Sequence, residues 1–420
     1  MAIGDIKISS LKVGQMDLIQ GGKVSLVGFN IYEDILNPYG PLAEIRVLDP
    51  TDQLGKTKLN GSYDQDVEIN FSGDNSIAGI GGGHKLKMKM FHNKDLNDQS
   101  LNNVGSGHHK QYDIRCVSPE FLNAQGNYVE KSFNQETSEA VKHIVEKGFK
   151  SKKQFNAGKT KKRRLIIPKS HPLDAYKQIS TEHVSDKYES SCFVLFQKSG
   201  QSGGEYEYHF KTFEELFEGS SKVKLKQTTN LNFELNNRQE RQNSVMWFKP
   251  SKSFDSGPRA LDKSSEYTFD YTTHKVVAVN QPKSNNKFKF ADRDPVYNSS
   301  PSYVDKGVPT HYVHDKANNK EKHETASAMT KRAAFLSHLA QNSAEFETYY
   351  NPDIKLGEMI ELDIPTKANS DWEGGEKQMN GKFLVVAIRT KYRIAAEPPH
   401  CTMVVRVVKA SYKEGGGGQA

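Results

Sequence analysis

The feature that most constrains this chain is a period of two. Ile45 and Val47 alternate with Glu44 and Arg46, and Val67, Ile69 and Phe71 with Glu68 and Asn70. Leu86, Met88 and Met90 alternate with Lys85, Lys87 and Lys89, and Tyr112, Ile114 and Cys116 with Gln111, Asp113 and Arg115. Side chains of a strand point to opposite faces in turn, so this pattern predicts strands with one buried and one solvated face, as in an antiparallel barrel or sandwich. Turn residues punctuate the runs at Gly21-Gly22, Asn37-Pro38-Tyr39-Gly40, Asp49-Pro50 and 79–83. Residues 1–117 therefore read as a first β domain.

The rhythm changes after 118. Ala140, Val141, Ile144 and Val145 fall at helical spacing and Gly148 is placed to end the helix. Pro172 opens a second helix, with Leu173, Tyr176 and Ile179 on one face. A short apolar run at 192–196 and the alternation of Tyr206, Tyr208 and Phe210 predict a hairpin across the glycine-rich 200–204. Residues 118–217 form a small α/β module on this reading. From 218 to 339 the chain is polar and poor in strand signals, with one apolar run at 276–279 and a helix expected near 326–341; it reads as a connecting region with strands and a helix, part of the second half. Strands at 346–350, 358–364, 382–393 and 402–408 close the chain as a second β domain, 340–413, and the Gly-rich 414–420 reads as a disordered tail. The predicted class is α+β, mainly β: two β domains flanking a small α/β domain.

Composition excludes several alternatives. No stretch approaches the roughly 20 apolar residues of a spanning helix. The first residues lack a basic segment followed by an apolar one, so no secretion signal is expected. Three well-separated cysteines, Cys116, Cys192 and Cys401, read as small buried side chains rather than a disulfide or zinc framework. The net charge of +7 invites a nucleic-acid reading, but eight cations between Lys150 and Arg164, with no acid among them, carry it all; without them the net is −1. That segment, with Asn156 and Gly158 inside it, reads as a solvated loop. Contact with an acidic partner or a phosphate is its functional alternative, with Lys161, Lys162, Arg163 and Arg164 as candidate partner-contact residues.

Catalytic motifs fail one by one. Gly158-Lys159-Thr160 resembles the end of a phosphate-binding loop, but position 153, where that loop needs glycine, is Lys. The glycines at 79 and 81–83 would need another at 84, which is His84, and a helix to open. His108-His109 and the His311/His314 pair lack helical zinc spacing. Glu214-Glu215 and Glu345/Glu347 are paired carboxylates of the kind any solvated face carries. No catalytic residue, metal ligand or cofactor site is expected, and the chain reads as non-enzymatic.

The most specific segment is C-terminal. It runs Leu356-Gly357-Glu358-Met359-Ile360-Glu361-Leu362-Asp363-Ile364-Pro365, then Asn380-Gly381-Lys382-Phe383-Leu384-Val385-Val386-Ala387-Ile388-Arg389, then Cys401-Thr402-Met403-Val404-Val405-Arg406-Val407-Val408-Lys409. This order resembles the closing barrel of the baseplate hub proteins of contractile-tailed bacteriophages. Val27-Gly28-Phe29-Asn30-Ile31-Tyr32 and Ala43-Glu44-Ile45-Arg46-Val47-Leu48-Asp49-Pro50 are similar to that family's opening strands, and 171–196 with 206–213 to its helix-plus-hairpin unit. Position 390 is Thr where relatives often have His.

The resemblance implies two tail-tube-like barrels per subunit and a homotrimer, giving a pseudo-hexameric ring that joins a three-fold central spike to the six-fold tail tube. It implies as partners the spike, the tail tube or its initiator, the tape measure protein and baseplate wedge proteins. DNA would be met only in transit through the lumen. The expected location is the virion tail baseplate, after assembly in the host cytoplasm, with no membrane contact as a mature subunit. Because the chain stops at 420, the needle is expected on a separate polypeptide. The alternatives are a hub of a contractile secretion or injection system, a tail-associated peptidoglycan hydrolase, and a nucleic-acid binder built on 150–164.

Overall fold

The computed structural model describes residues 6–19, 24–49, 65–73, 83–95, 110–187, 192–200, 204–227, 243–250, 266–270, 275–279, 312–314, 332, 336, 343–364, 380–394 and 400–409. The first half of the chain supplies β1 (Ile6–Val13), β2 (Met16–Asp17), β3 (Ser25–Asp34), β4 (Leu42–Asp49), β5 (Asp66–Gly73), β6 (Gly83–Asp95) and β7 (Lys110–Val117). The alternation is realised side chain by side chain. Val67, Ile69 and Phe71 of β5 are buried, as are Leu86, Met88 and Met90 of β6, while Lys85 and Lys87 are exposed. Each large apolar side chain removed from water in this way contributes about 1.5–3 kcal/mol.

The middle module follows: α1 (Pro119–Gln125), β8 (Val129–Glu136), α2 (Thr137–His143), β9 (Phe155–Ala157), β10 (Lys162–Ser170), α3 (Pro172–Glu182), β11 (Phe193–Ser199), β12 (Tyr206–Thr212) and α4 (Phe213–Phe217). Helix α2 widens into a π-turn, Ile144–Gly148, and Gly148 ends it as the sequence predicts, with Pro172 packed where a side chain would sit. Pro172 is the first residue of α3. A separate core gathers Val141, Ile144, Phe149, Ile179, Tyr208 and Phe210.

The last part comprises β13 (Ser221–Gln227), β14 (Ser244–Pro250), β15 (Glu266–Asp270), β16 (Lys275–Val279), β17 (Tyr312–His314), β18 (Ser343–Tyr349), β19 (Met359–Asp363), β20 (Gly381–Arg393) and β21 (His400–Val408). The expected helix at 326–341 falls mainly outside the described residues; positions 332 and 336 are helical. The tail 414–420 also lies outside them.

Thirteen strands form one sheet in the order β19-β13-β14-β18-β21-β20-β3-β4-β7-β6-β5-β1-β2, and β19 also pairs with β20. That extra pairing closes β13, β14, β18, β21, β20 and β19 into a barrel. The fold is therefore mainly β with a closed barrel, in the class predicted. Within the stretch after 218, β13 and β14 are walls of that closed barrel. Strand β3 pairs with β20, so the sheet runs unbroken from one half to the other.

Strand β20 makes this possible. Its first residues pair with β19 from Leu362↔Gly381 to Met359↔Leu384, and its last pair with β3 from Ala387↔Asp34 to Arg393↔Gly28. Between them, opposite β21, the register shifts between Val385 and Ala387. A bulge adds a residue and bends the strand, which lets one strand serve the closed barrel and then the first half of the sheet.

Gly357 precedes β19 with φ of +73°, and a Cβ there would lie 2.6 Å from the Phe196 ring. Both the left-handed backbone and the contact exclude larger residues. Gly357→Ala is expected to lower stability by about 2 kcal/mol in chemical denaturation; a loss below about 0.5 kcal/mol, the scatter of a neutral surface change, would contradict this packing.

Candidate functional site

The hairpin β11–β12 sits where three parts of the chain meet. On the side of the first half, the turn at Asn37–Gly40 is held by Asn37 Nδ2 donating to the Gly40 carbonyl (2.7 Å). It presents Tyr39 to the module, its ring 5.3 Å from Phe121 and 5.2 Å from Phe149. The Tyr39 carbonyl accepts from Gln197 Nε2 of β11 (3.0 Å) and from Ser118 Oγ. On the side of the second half, Lys198 pairs with Glu358 at 3.0 Å, and Lys355 Nζ donates to the Gly200 carbonyl at 3.0 Å. The Phe196 ring lies against Gly357. The hairpin thus keys both halves together from one side.

At its centre is a buried polar chain. Tyr206 of β12 donates its hydroxyl to Glu33 Oε1 of β3 (3.0 Å) and lies 2.9 Å from His84 Nδ1 of β6. His84 stacks on Phe71 at 4.7 Å between centroids, and Tyr350 packs against both rings. Burial pushes the Glu33 carboxyl up to about 7, against the opposing pull of the Tyr206 hydroxyl and Lys355. Burial, helped by Lys355, lowers His84 to about 4. Desolvation disfavours the charged form of each group, so the pair is held neutral through the weakly acid range. With Glu33 ionised, His84 Nδ1–H donates to Tyr206 and Tyr206 donates to Glu33; with Glu33 protonated the chain can run the other way. The chain of hydrogen bonds ties β3, β6 and β12 together inside the core.

The outward face of the sheet crosses the seam between the halves as a ladder of polar pairs. Arg46 meets Asp113 at 2.8 Å, Arg115 meets Glu44 at 3.5 Å, and Tyr32 donates to Glu44 at 2.8 Å. Arg389 of β20 lies over the Tyr32 ring, 5.1 Å from its centroid. Beyond the seam Glu347 accepts from Trp247 Nε1 (2.5 Å) and Thr402 Oγ1 (2.8 Å) and pairs with Lys391 (3.4 Å). Burial raises the Glu347 carboxyl, but those donors outweigh it and hold it below its ordinary value. Cross-strand pairs of this kind each add a few tenths of a kcal/mol and fix register. Tyr32, Trp247, Arg389, Lys391 and Arg406 line a shallow groove on this face.

The sequence-predicted candidates are scattered. The basic segment is not a solvated loop throughout: Phe155–Ala157 is β9, and Lys162 opens β10, which pairs with β8 from Lys162↔Glu136 onward. Leu165 and Ile167 face the module core, and their alternation was the available signal. Lys161 lies just before the strand, while Lys162 and Arg164 project to solvent; Arg163 lies between them in the strand. At the supposed phosphate loop, the Gly158 amide donates to the Phe210 carbonyl (3.0 Å) and Thr160 Oγ1 accepts from the Ser138 amide (3.0 Å), so the loop is occupied structurally. Glu215 closes a capping box with Thr212 at the start of α4, and Glu345 and Glu347 share the outward face of β18. Cys116, Cys192 and Cys401 are buried and not joined in disulfides, and burial pushes the thiols of Cys116 and Cys401 upward. His108, His109 and His311 lie outside the described residues. Among the described residues no group of three or more His, Cys, Asp or Glu is placed to hold a metal, and no helix is long and apolar enough to cross a membrane. Sequence reasoning passed over Glu33 and His84; an acid and a histidine on the inward side of alternating strands were the signal.

No protein-family model matches the sequence, and no curated protein is similar to it. Solved structures are more informative. A tail protein from Neisseria meningitidis MC58 superposes with a TM-score of 0.52 at 8% identity, over 97% of this chain and 99% of that one. The chain shares the fold of that tail protein. The 43 kDa tail protein of prophage MuSo2 from Shewanella oneidensis gives 0.49 at 11% identity over 96% of this chain and 98% of that one. The c3393 protein of E. coli, a type VI secretion system component described as structurally similar to T4 tail proteins, gives 0.48 at 10% over 98% and 77%.

Proposed function

We propose that the chain is a non-enzymatic structural hub of a contractile phage tail. It assembles as a homotrimer whose six barrel halves form a pseudo-hexameric ring between a three-fold central spike and the six-fold tail tube. The observation that carries the reading is the fusion, in one sheet, of two β halves. The first is built on β3, β4, β7, β6, β5, β1 and the two-residue β2, the second on β13, β14, β18, β21, β20 and β19. Two like units per chain give six around a three-fold axis, which meets a three-to-six symmetry mismatch without a second protein. The fold likeness to a tail protein supports the same reading. On this reading the partners are the spike, the tube or its initiator, the tape measure and wedge proteins, and DNA passes only through the lumen. The location is the tail baseplate after assembly in the host cytoplasm. The hairpin keystone fits the role, because a ring adaptor transmits load between its halves.

Electron microscopy of the purified chain tests this. Class averages are expected to show six-lobed rings with three-fold symmetry. Particles with a single pair of lobes, or rings of another order, would overturn the adaptor. A cell-wall turbidity assay is expected to show no clearing; lysis by the chain alone would replace the structural reading with the hydrolase.

A further inference from the structure

The basic segment that dominates the net charge is not absorbed by the ring. Its core, β10, belongs to a two-stranded sheet with β8, and among the described residues no strand pairs with β10 on its other side. The inward face of the ribbon packs Val129, Phe133, Leu165 and Ile167 into the module core. The outward face does not. Lys162, Arg164 and Ile166 project into solvent from β10, with Ser132 and Asn134 exposed beside them on β8. Ile166, at 74%, has the highest exposure among the large apolar side chains of the described residues. At the end of the ribbon Tyr128 is 62% exposed, with Lys169 Nζ 5.4 Å from its ring centroid. From Lys150 to Ser170 the sequence contains no acid. Lys153 meets Glu120 at 2.9 Å, and Glu136 stands opposite Lys162 in the register.

We propose that the free edge of β10 is a docking strand for an extended acidic segment of a neighbouring protein. Such a segment would add a third strand to the ribbon. Backbone groups along the edge supply affinity, and alternate side chains supply specificity. Carboxylates of the incoming strand meet Lys162 and Arg164, and an apolar residue covers Ile166. Cations on an edge strand also serve to block unwanted pairing, but that role calls for no bare isoleucine at the middle of the strand. A nucleic acid fits less well: Glu130 and Glu136 are exposed on β8, and phosphates gain nothing from Ile166. The proposal stands independently of the ring.

The probe is a synthetic ten-residue peptide alternating Glu and Val, added to the full chain and followed by fluorescence anisotropy and amide hydrogen exchange. Binding is expected, with new protection confined to those amides of 162–167 that face away from β8. The double variant Lys162→Glu/Arg164→Glu should weaken it by roughly tenfold or more, as should Ile166→Asp, each checked for unchanged thermal unfolding. A peptide of the same charge with alternate Val replaced by Pro cannot pair and should bind roughly tenfold more weakly. No binding at low salt, equal binding of the proline peptide, or tighter binding of a single-stranded oligonucleotide would each overturn the proposal.

Discussion

Replacing Glu33 with Gln is expected to remove one of the two opposing slopes in the pH profile of stability. The folded-state value of about 7, against 4.5 for a free carboxyl, means that the folded chain holds a proton the unfolded chain has lost. Stability from this group is full below pH 4.5 and falls as pH rises towards and through 7. At about 1.4 kcal/mol per unit the loss amounts to roughly 3 kcal/mol by pH 8. His84 acts in the opposite sense. Its value of about 4, against 6.5, gives stability that is full above pH 6.5 and is lost as pH falls through 4. Between pH 4.5 and 6.5 the two slopes oppose, because folding in effect moves one proton from the histidine to the carboxyl. In Glu33→Gln only the histidine slope remains. Relative to wild type, the variant should gain on the order of 3 kcal/mol between pH 4.5 and pH 8, read by urea unfolding at a series of pH values. A constant difference across that range would mean that Glu33 is not the buried proton carrier.

The seam between the halves depends on Gly28. A Cβ at this position would lie 2.3 Å from the Tyr392 carbonyl oxygen and 3.4 Å from the Arg393 Cα, both backbone atoms of β20. No rotamer relieves such a clash, so β3 and β20 must move apart where they pair. Gly28→Val is expected to cost about 3 kcal/mol or more, the upper end of what overpacking produces. The loss should be local in origin: hydrogen exchange should quicken first at residues 28–30 and 391–393, before the amides of β5 and β6. A stability within about 0.5 kcal/mol of wild type would show that the strands are not in close contact there.

Much of the fold was legible because period two is a local signal. The alternations at Val67–Ile69–Phe71 and Ile360–Leu362–Ile364 predicted strands that the structure contains, and Pro172 marked the start of α3. The losses have physical causes. In β8 only Val129 and Phe133 are buried, with exposed Lys131 between them, so its alternation is broken. Strand β10 was hidden by its own charges, since Lys162 and Arg164 occupy the solvent face and mimic a loop. Strand β13 was obscured by Lys222, Lys224 and Lys226 on one outward face; Lys224 pairs with Glu361 of β19 at 3.0 Å. Long-range closure left no local trace. Nothing near Ala387 announces that its neighbour across the seam is Asp34. The Glu33–Tyr206–His84 chain was equally invisible, because it joins residues 122 and 173 positions apart.

The measurement that bears most directly on the hub is the native mass of the purified chain in solution, by light scattering over a range of concentrations. A homotrimeric adaptor should give three times the 47.2 kDa of one chain, held across dilution, as a closed cyclic assembly requires. A particle that remains at the mass of a single chain, or settles as a dimer, would contradict the account.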